Sequence, residues 1–551
     1  MSSPPPAITL CTLNAKYIHA SLGLRYLLAN MGDLQAQTRL REFTISRKAQ
    51  DVVDALWQDR PAIIGFGVYI WNVVQTCAVI ALLKAQYPHV KIVLGGPEVS
   101  HELEGQHIVR LADHVITGWG DISFPKLCKA LLLGPQPLMK VMAGEQPPLE
   151  QIQLPYALYT DDDLAHRVVY VEASRGCPFK CEFCLSSLDK TAWAFDQDRF
   201  LNALDTLVRR GARSFKFVDR TFNLKIEASV KVLQFFLDRL KTLARLDAQN
   251  SNLFLHFEVI PDHLPDRLKE MIAQFPPGVL QFEIGIQSLN VQVQQRISRR
   301  QDNVRTLANL QWLRQHCHAH LHTDLIFGLP GEDWQSFSNG FDVLYAQRPH
   351  EIQLGLLKRL RGTPIGRHSA EFGLVFDAAP PYALQQSHLV GAAPMQQFVR
   401  LARYWDLLAN SGRFGQTLLL LLERPVGEVG KVGEDGTGYS AFHAFWRFSE
   451  WLWQHTQLTS GLTPENLVDG LFAYLTGARQ LAAAEVLVAL RADYLQSGAK
   501  GSPNCLRRSP MPASSSGAVL QEDRRRRTPV KMIQPHQRNQ RQLQHLGQKT
   551  A

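Results

Sequence analysis

Between residues 7 and 135, short apolar runs alternate with segments whose apolar positions repeat at helical spacing. The runs are AITLCTL (7–13), RLREFTI (39–45), AIIGFGV (62–68), VKIVLGG (90–96) and HVITG (114–118). Such runs, separated by amphipathic segments, predict buried parallel strands with crossover helices on both faces. Ligands of a doubly wound sheet of this kind lie outside the carboxyl ends of its strands. Glycines gather at those ends: Gly65 and Gly67, Gly95 and Gly96, Gly118 and Gly120. A missing side chain lets a ligand approach the backbone; tight turns alone would also ask for glycine.

Residues 136–165, rich in Pro, Gln and Asp, read as a linker. A second series follows: VVYVEAS (168–174), SFKFVD (214–219), LFLHFEV (253–259), LQFEIGI (280–286), HLHTDLIFG (320–328) and EIQLGLL (351–357). Each precedes a helix-like segment. Six such units predict an open (βα)6 barrel, with a second doubly wound sheet as the alternative. Both architectures put chemistry at the carboxyl ends of strands. From about residue 390 the pattern turns helical, as in FVRLARYWDLLAN and EVLVALRADYL. After residue 498 it gives way to Ser, Pro, Gln and Arg, a composition that cannot bury a core and predicts disorder. The expected organisation is an α/β protein with a doubly wound domain over 7–140, a barrel over 163–385, a helical domain over 390–498 and a disordered tail over 499–551.

Charge changes this picture little. The net charge is +9, and residues 500–551 alone hold eleven Lys and Arg against two acidic residues. The rest of the chain is therefore neutral overall and carries no electrostatic footprint for nucleic acid. The start, MSSPPPAITL, lacks the basic and apolar regions of a signal peptide. No run of 18 apolar residues suggests a membrane span. Eight cysteines in 551 residues are not a disulfide scaffold, so a reducing cytoplasm is expected.

Three of those cysteines stand together. The first barrel strand runs into SRGCPFKCEFC, which spaces Cys177, Cys181 and Cys184 as CxxxCxxC. Three thiolates within eight residues can wrap one metal centre, an iron–sulfur cluster or zinc. A structural zinc site closes with a fourth ligand, and none stands at typical spacing here. Three ligands on a cubane leave one iron open to another molecule, which a fully ligated electron carrier does not.

This loop, with Phe183 before its last cysteine, resembles the signature of the radical S-adenosylmethionine (SAM) superfamily. The resemblance implies a 4Fe-4S cluster on the three cysteines, SAM on the open iron, and reductive SAM cleavage giving a radical that abstracts hydrogen. It implies SAM contacts at successive strand ends: Phe183, Asp219, Glu258, Glu283, Gln287, Asp324, Ile326 and Gly328, with Asn223 and Gln353 as further candidates. The strings GIQS and DLIFGLPGE resemble motifs of members with an N-terminal cobalamin-type domain. His318, His320 and His322 alternate, so a strand would put them on one face. Adjacent histidines on one strand surround a metal poorly, and a polar barrel lining is the expectation.

The strings LNAKYIHASLGLRYLLANM, GFGVYIW and VLGGPEVS resemble the domain fronting cobalamin-binding radical SAM proteins, of flavodoxin-like type. The resemblance implies a corrin site on Asn14, Gly65, Gly67, Val68, Gly95, Gly96 and Gly118. The DxHxxG motif that gives cobalt a histidine is broken: aligned on His19, its aspartate is Tyr17 and its glycine Leu22. Methylthiotransferases are competing relatives with a second three-cysteine cluster in the front domain. Cys11, Cys77 and Cys128 are available, but Cys11 lies in a strand pattern and Cys128 in a helical one. The region around ARYWDLLANSGRF resembles an uncharacterised domain appended to one subgroup. The resemblance covers about residues 7–498 and implies methylation of an unactivated carbon, with flavodoxin or ferredoxin as reductant. The alternatives are a radical SAM enzyme without cobalamin, a methylthiotransferase-like enzyme, and an Fe–S electron carrier or sensor. No residue pattern names a catalytic side chain or a substrate.

Overall fold

The computed structural model describes residues 7–246, 252–423, 439–499 and 501–507. The five apolar runs at the start form β1 (Ile8–Asn14), β2 (Thr38–Thr44), β3 (Ile63–Gly67), β4 (Lys91–Gly95) and β5 (His114–Thr117). A sixth strand, β6 (Val141–Ala143), pairs with β5. Its three residues lie inside the stretch read as linker, where prolines hide the strand pattern. The order β2-β1-β3-β4-β5-β6 is parallel throughout. It reverses direction between β1 and β3, the place where doubly wound sheets bind ligands. Separate cores fill the two faces of this sheet.

The helix Asp161–His166 follows, capped by Thr160 in a capping box with Asp163. It too lies in the linker stretch, and it is fastened down: Asp163 pairs with buried Arg25 at 2.8 Å, and Arg25 with Glu42 at 2.9 Å.

The second series forms β7 (Val169–Val171), a small antiparallel ladder of β8 (Ser174–Arg175) and β9 (Trp193–Ala194), then β10 (Ser214–Phe217), β11 (Phe254–Val259), β12 (Leu280–Gln287), β13 (His320–Phe327) and β14 (Glu351–Leu356). The large sheet runs β14-β13-β12-β11-β10-β7, parallel and open between its outer strands. This is the open six-stranded barrel rather than the alternative.

Helices Ala392–Leu408, Gly415–Leu422, Ala441–Thr456, Pro464–Ala473 and Ala483–Gln496 come next. They continue the barrel's core instead of forming one of their own. Phe398 stacks on Phe327 at 4.3 Å, and Trp405 donates its indole N–H to the Ile352 carbonyl at 2.8 Å. The segment read as tail departs early from that reading: Asn504–Arg507 is helical, and the backbone amides of Asn504 and Cys505 donate to Asp469 at 3.1 and 2.9 Å. The rest of the tail expectation, residues 508–551, lies outside the described residues. Among the described residues no helix is long and apolar enough to cross a membrane.

Candidate functional site

The cysteine segment leaves β8 and folds back on itself. Gly176 makes the turn at φ +84°, where a Cβ would lie 2.5 Å from the Thr191 hydroxyl, so only glycine fits. The Cys177 amide donates to the Asp189 carbonyl at 2.8 Å. The Ser187 hydroxyl reaches the Cys181 and Cys184 carbonyls at 2.9 and 2.7 Å. Buried Glu182 anchors the middle of the loop through Ser298 at 2.6 Å, His368 at 2.8 Å and Arg367. These bonds fix a short stretch that has no regular structure of its own.

Cys177, Cys181 and Cys184 line one cavity of about 240 Å³ with Phe183, Glu258, Glu283, Gln287, Arg299 and Asp324. Burial, and after it the neighbouring thiols Cys184 and Cys181, push up the Cys177 thiol. Burial also raises Cys181, against the charge of Arg299, whose guanidinium lies 3.8 Å from its Sγ. Among the described residues no three His, Cys, Asp or Glu side chains converge as a single-ion site. A cubane spreads its thiolates over separate irons, so three thiols around one cavity suit it. Gln287 stands at φ +69° beside a register shift in β12. Its buried Oε1 has no hydrogen-bond partner, which leaves an acceptor waiting in this wall.

Glu283 is held between His256 and Lys216. Its carboxylate lies 3.1 Å from His256 Nε2 and 3.4 Å from Lys216 Nζ. Burial raises its pKa, but the His256 hydrogen bond and the Lys216 charge outweigh burial and hold it well below the usual carboxylate range. Glu258 sits 3.3 Å from Arg220.

A second cavity, of about 780 Å³, lies between the front sheet and the barrel mouth. The front sheet contributes Asn14, Gly65, Gly67, Gly95, Gly96 and Gly118, and the barrel Tyr170, Arg175, Lys216, Arg220, Glu258 and Glu283. A Cβ at Gly118 would meet nothing within 4 Å, so the backbone there is open to a bulky ligand. Trp71, 46% exposed, stacks on Tyr69 at 4.4 Å beside it. Arg220, Glu258 and Glu283 belong to both cavities, which meet at these three residues.

Residues 171–342 match the radical SAM superfamily model, and residues 8–128 match the B12 binding domain. The chain carries a B12 binding domain followed by a radical SAM domain. The first of these implies cobalamin, the second a 4Fe-4S cluster and SAM. The cobalamin-dependent radical SAM methyltransferase TokK of Streptomyces tokunonensis is 23% identical over 346 residues, 56% of this chain and 48% of the relative. The 2-(S-pantetheinyl)-carbapenam-3-carboxylate methyltransferase of Streptantibioticus cattleyicolor is 25% identical over 327 residues, 53% and 46% of the two chains. The chain thus spans about half the length of these curated relatives. The solved radical SAM methyltransferase TsrM from Kitasatospora setae, with tryptophan and a SAM analogue bound, shares the fold at a TM-score of 0.55 and 16% identity, over 68% of this chain and 80% of that one.

Within the radical SAM domain, five of the eight expected SAM residues meet at the cysteine cavity: Phe183, Glu258, Glu283, Gln287 and Asp324. Three do not line it. Asp219 is buried and turned to the segment after β7, accepting from the Ala173 amide at 2.9 Å and the Ser174 hydroxyl at 2.6 Å. Burial pushes its carboxyl up to about 7. Ile326 packs against the core, and Gly328 makes close room for Leu384. Asn223 ties the segment after β10 to the Ile260 and His263 carbonyls at 2.9 and 2.6 Å. Gln353 faces His322 at 3.0 Å. Of the three histidines, His318 is exposed ahead of the strand, while His320 and His322 share Glu351 at 2.8 and 2.9 Å.

In the B12 binding domain, Val68 does not line the cavity. It is fully buried, and Gly96, at φ +107°, crosses so close that a Cβ there would lie 2.5 Å from the Val68 carbonyl. Cys11 belongs to the core on one face of the sheet with Cys77 packed against it, and Cys128 to the core on the other face. The sheet separates them, so no shared cluster forms there. Sequence reasoning passed over Trp119, Asp121, Arg175 and Asp189, which join the two domains. The Trp-Gly-Asp turn after β5 was the signal available.

Proposed function

We propose that this chain is a cobalamin-dependent radical SAM enzyme that methylates an unactivated carbon. The meeting of the two cavities at Arg220, Glu258 and Glu283 carries this reading, because one substrate can then face both cofactors. Bound together, the cluster and SAM supply hydrogen abstraction, and cobalamin supplies the methyl group.

The protein's part is positioning and shielding. Cys177, Cys181 and Cys184 hold the cluster, and Arg299 offsets the negative charge gathered at Cys181. Gln287 offers SAM an unpaired acceptor. Glu258, Glu283 and Asp324 offer carboxylates to its amino and hydroxyl groups, with Glu283 kept ionised by His256 and Lys216. Phe183, in the wall of the cysteine cavity, would offer its ring to SAM. Asn14 and the glycines Gly65, Gly67, Gly95, Gly96 and Gly118 give a corrin a flat bed of backbone, with Trp71, Tyr69 and Trp119 as aromatic walls. Among the described residues no cysteine is joined in a disulfide, in keeping with a cytoplasmic enzyme reduced by a flavodoxin or ferredoxin.

The test is anaerobic reconstitution with iron, sulfide and hydroxocobalamin, then incubation with SAM and reductant. The reading expects 5′-deoxyadenosine together with S-adenosylhomocysteine. 5′-Deoxyadenosine alone would leave a radical SAM enzyme without methyl transfer. Neither product would favour an electron carrier or sensor.

A further inference from the structure

The turn after β5 serves two places at once. Gly118, Trp119, Gly120 and Asp121 line the cavity between the domains. Two of them, Trp119 and Asp121, also hold the segment that carries the cysteines. The Trp119 indole N–H donates to Asp189 Oδ2 at 2.8 Å, and the Asp189 carbonyl accepts from the Cys177 amide at 2.8 Å. Asp121 accepts both arms of the Arg175 guanidinium at 2.8 and 3.2 Å, and Arg175 stands two residues before Cys177. The Arg175 fork is itself sandwiched, 4.9 Å from the Trp119 ring and 4.4 Å from the Tyr26 ring. Arg175 also holds Glu172 at 2.8 Å, so its charge is fully employed. Both Arg175 and Asp121 are shielded, at 13% and 7% side-chain exposure, which keeps these bonds from being traded for water.

We infer that Trp119 and Arg175 are positioning residues that couple the cavity between the domains to the cysteine loop. A ligand that fills the cavity fixes the turn 118–121, and the turn fixes the backbone of Cys177. The inference rests on the cobalamin reading above. Coupling of this kind is reciprocal: cobalamin protects the cluster, and the cluster tightens cobalamin by the same factor. The chemistry of the two residues is specific. Phenylalanine at 119 keeps the ring and loses the N–H. Lysine at 175 keeps the charge and loses the planar fork.

The experiment uses the reconstituted full-length chain and measures the rate at which excess chelator strips iron, with and without bound hydroxocobalamin. In the wild type, cobalamin slows stripping by about five-fold or more, the lower end of ordinary coupling. In Trp119→Phe and Arg175→Lys, loaded with cobalamin to the wild-type occupancy as read by absorbance, protection falls towards none. Should Arg175→Lys fail to fold, Trp119→Phe, which removes one hydrogen bond, decides the matter alone. Removing the cluster from the wild type weakens cobalamin binding at equilibrium, and does so less in Trp119→Phe. Equal stripping rates with and without bound cobalamin in the wild type overturn the coupling, and so does undiminished protection in Trp119→Phe. A chain that retains no cobalamin overturns the cobalamin reading and this coupling with it.

Discussion

Glu351 accepts a hydrogen bond from His322 Nδ1 at 2.9 Å inside the barrel. The other ring nitrogen of His322 faces Gln353 Oε1 at 3.0 Å and Asp324 Oδ1 at 3.2 Å. Acceptors on both sides of one ring call for a proton on each nitrogen. Burial lowers the His322 pKa, but the bonds to Asp324 and Glu351 outweigh burial and push it to about 10. The folded value lies above the unfolded value of about 6.5, so the stabilisation is complete below about pH 6.5 and is lost as pH rises towards 10. Denaturant unfolding across this window is expected to show the wild type losing its advantage over His322→Gln as pH rises. Parallel stability curves for the two proteins would refute it.

Cys181→Ser is expected to leave the protein without its cluster, and Cys317→Ser to keep about four irons per chain. Cys317 is committed elsewhere, its thiol donating to the Leu313 carbonyl at 3.0 Å at a helix end. Iron and sulfide analysis with visible absorption after anaerobic reconstitution measures both. Zinc in place of iron in the wild type would remove the basis for the prediction.

Gln287→Leu tests the orphaned acceptor. The side chain keeps its size and loses an oxygen that has no partner within the protein. SAM binding is expected to weaken by about ten-fold or more, the usual cost of one buried hydrogen bond, with the cluster spectrum unchanged. Equilibrium binding of SAM to the reconstituted protein reads it, and unchanged affinity would assign Gln287 to the strand bulge alone.

The sequence made the barrel legible because each strand is a short apolar run following an amphipathic helix, a local pattern that burial on both faces enforces. The same logic missed Val141–Ala143, an edge strand of three residues among prolines, and overrated Asp219. A strand-end aspartate signals a ligand site in such folds, yet here it holds the Ala173 amide and the Ser174 hydroxyl. The cysteine loop was readable from spacing alone. Its fastening was not, since Trp119 meets Asp189 and Asp121 meets Arg175 across 70 and 54 residues of sequence. No local periodicity records contacts of that range. Val68 illustrates a finer limit: it lies next to Gly67 in the sequence, but just past the end of β3 it is buried where Gly96 crosses it, away from the cavity its neighbour lines.

Two truncations test how much the short helix Asn504–Arg507 contributes to stability. A chain ending at Arg507 keeps Asn504 and Cys505 bonded to Asp469, and is expected to melt with the full-length protein. A chain ending at residue 499 loses those bonds and the apolar packing of Cys505 and Leu506, and is expected to melt a few degrees lower. Scanning calorimetry distinguishes them. An equal fall in both would mean that residues 508–551 pack on the body.

Cobalt in the B12 binding domain is expected to have no histidine below it. The DxHxxG pattern fails at Tyr17 and Leu22, and the structure gives the remaining histidine a different task. His19 lies in the wall of the cavity, but its Nδ1 meets the Tyr170 hydroxyl at 2.7 Å and its carbonyl accepts from the Asn14 amide nitrogen at 2.8 Å. Its backbone also bridges to Val168 at the start of the barrel. His19 therefore joins the two domains through Nδ1 and its backbone. A cobalt without a strong lower ligand is easier to reduce, which suits repeated remethylation. Paramagnetic resonance of the cobalt(II) form should show no nitrogen hyperfine splitting from the protein, and His19→Ala should leave that spectrum unchanged while loosening the contact between the domains. Splitting that disappears in His19→Ala would show that His19 binds cobalt and overturn the expectation.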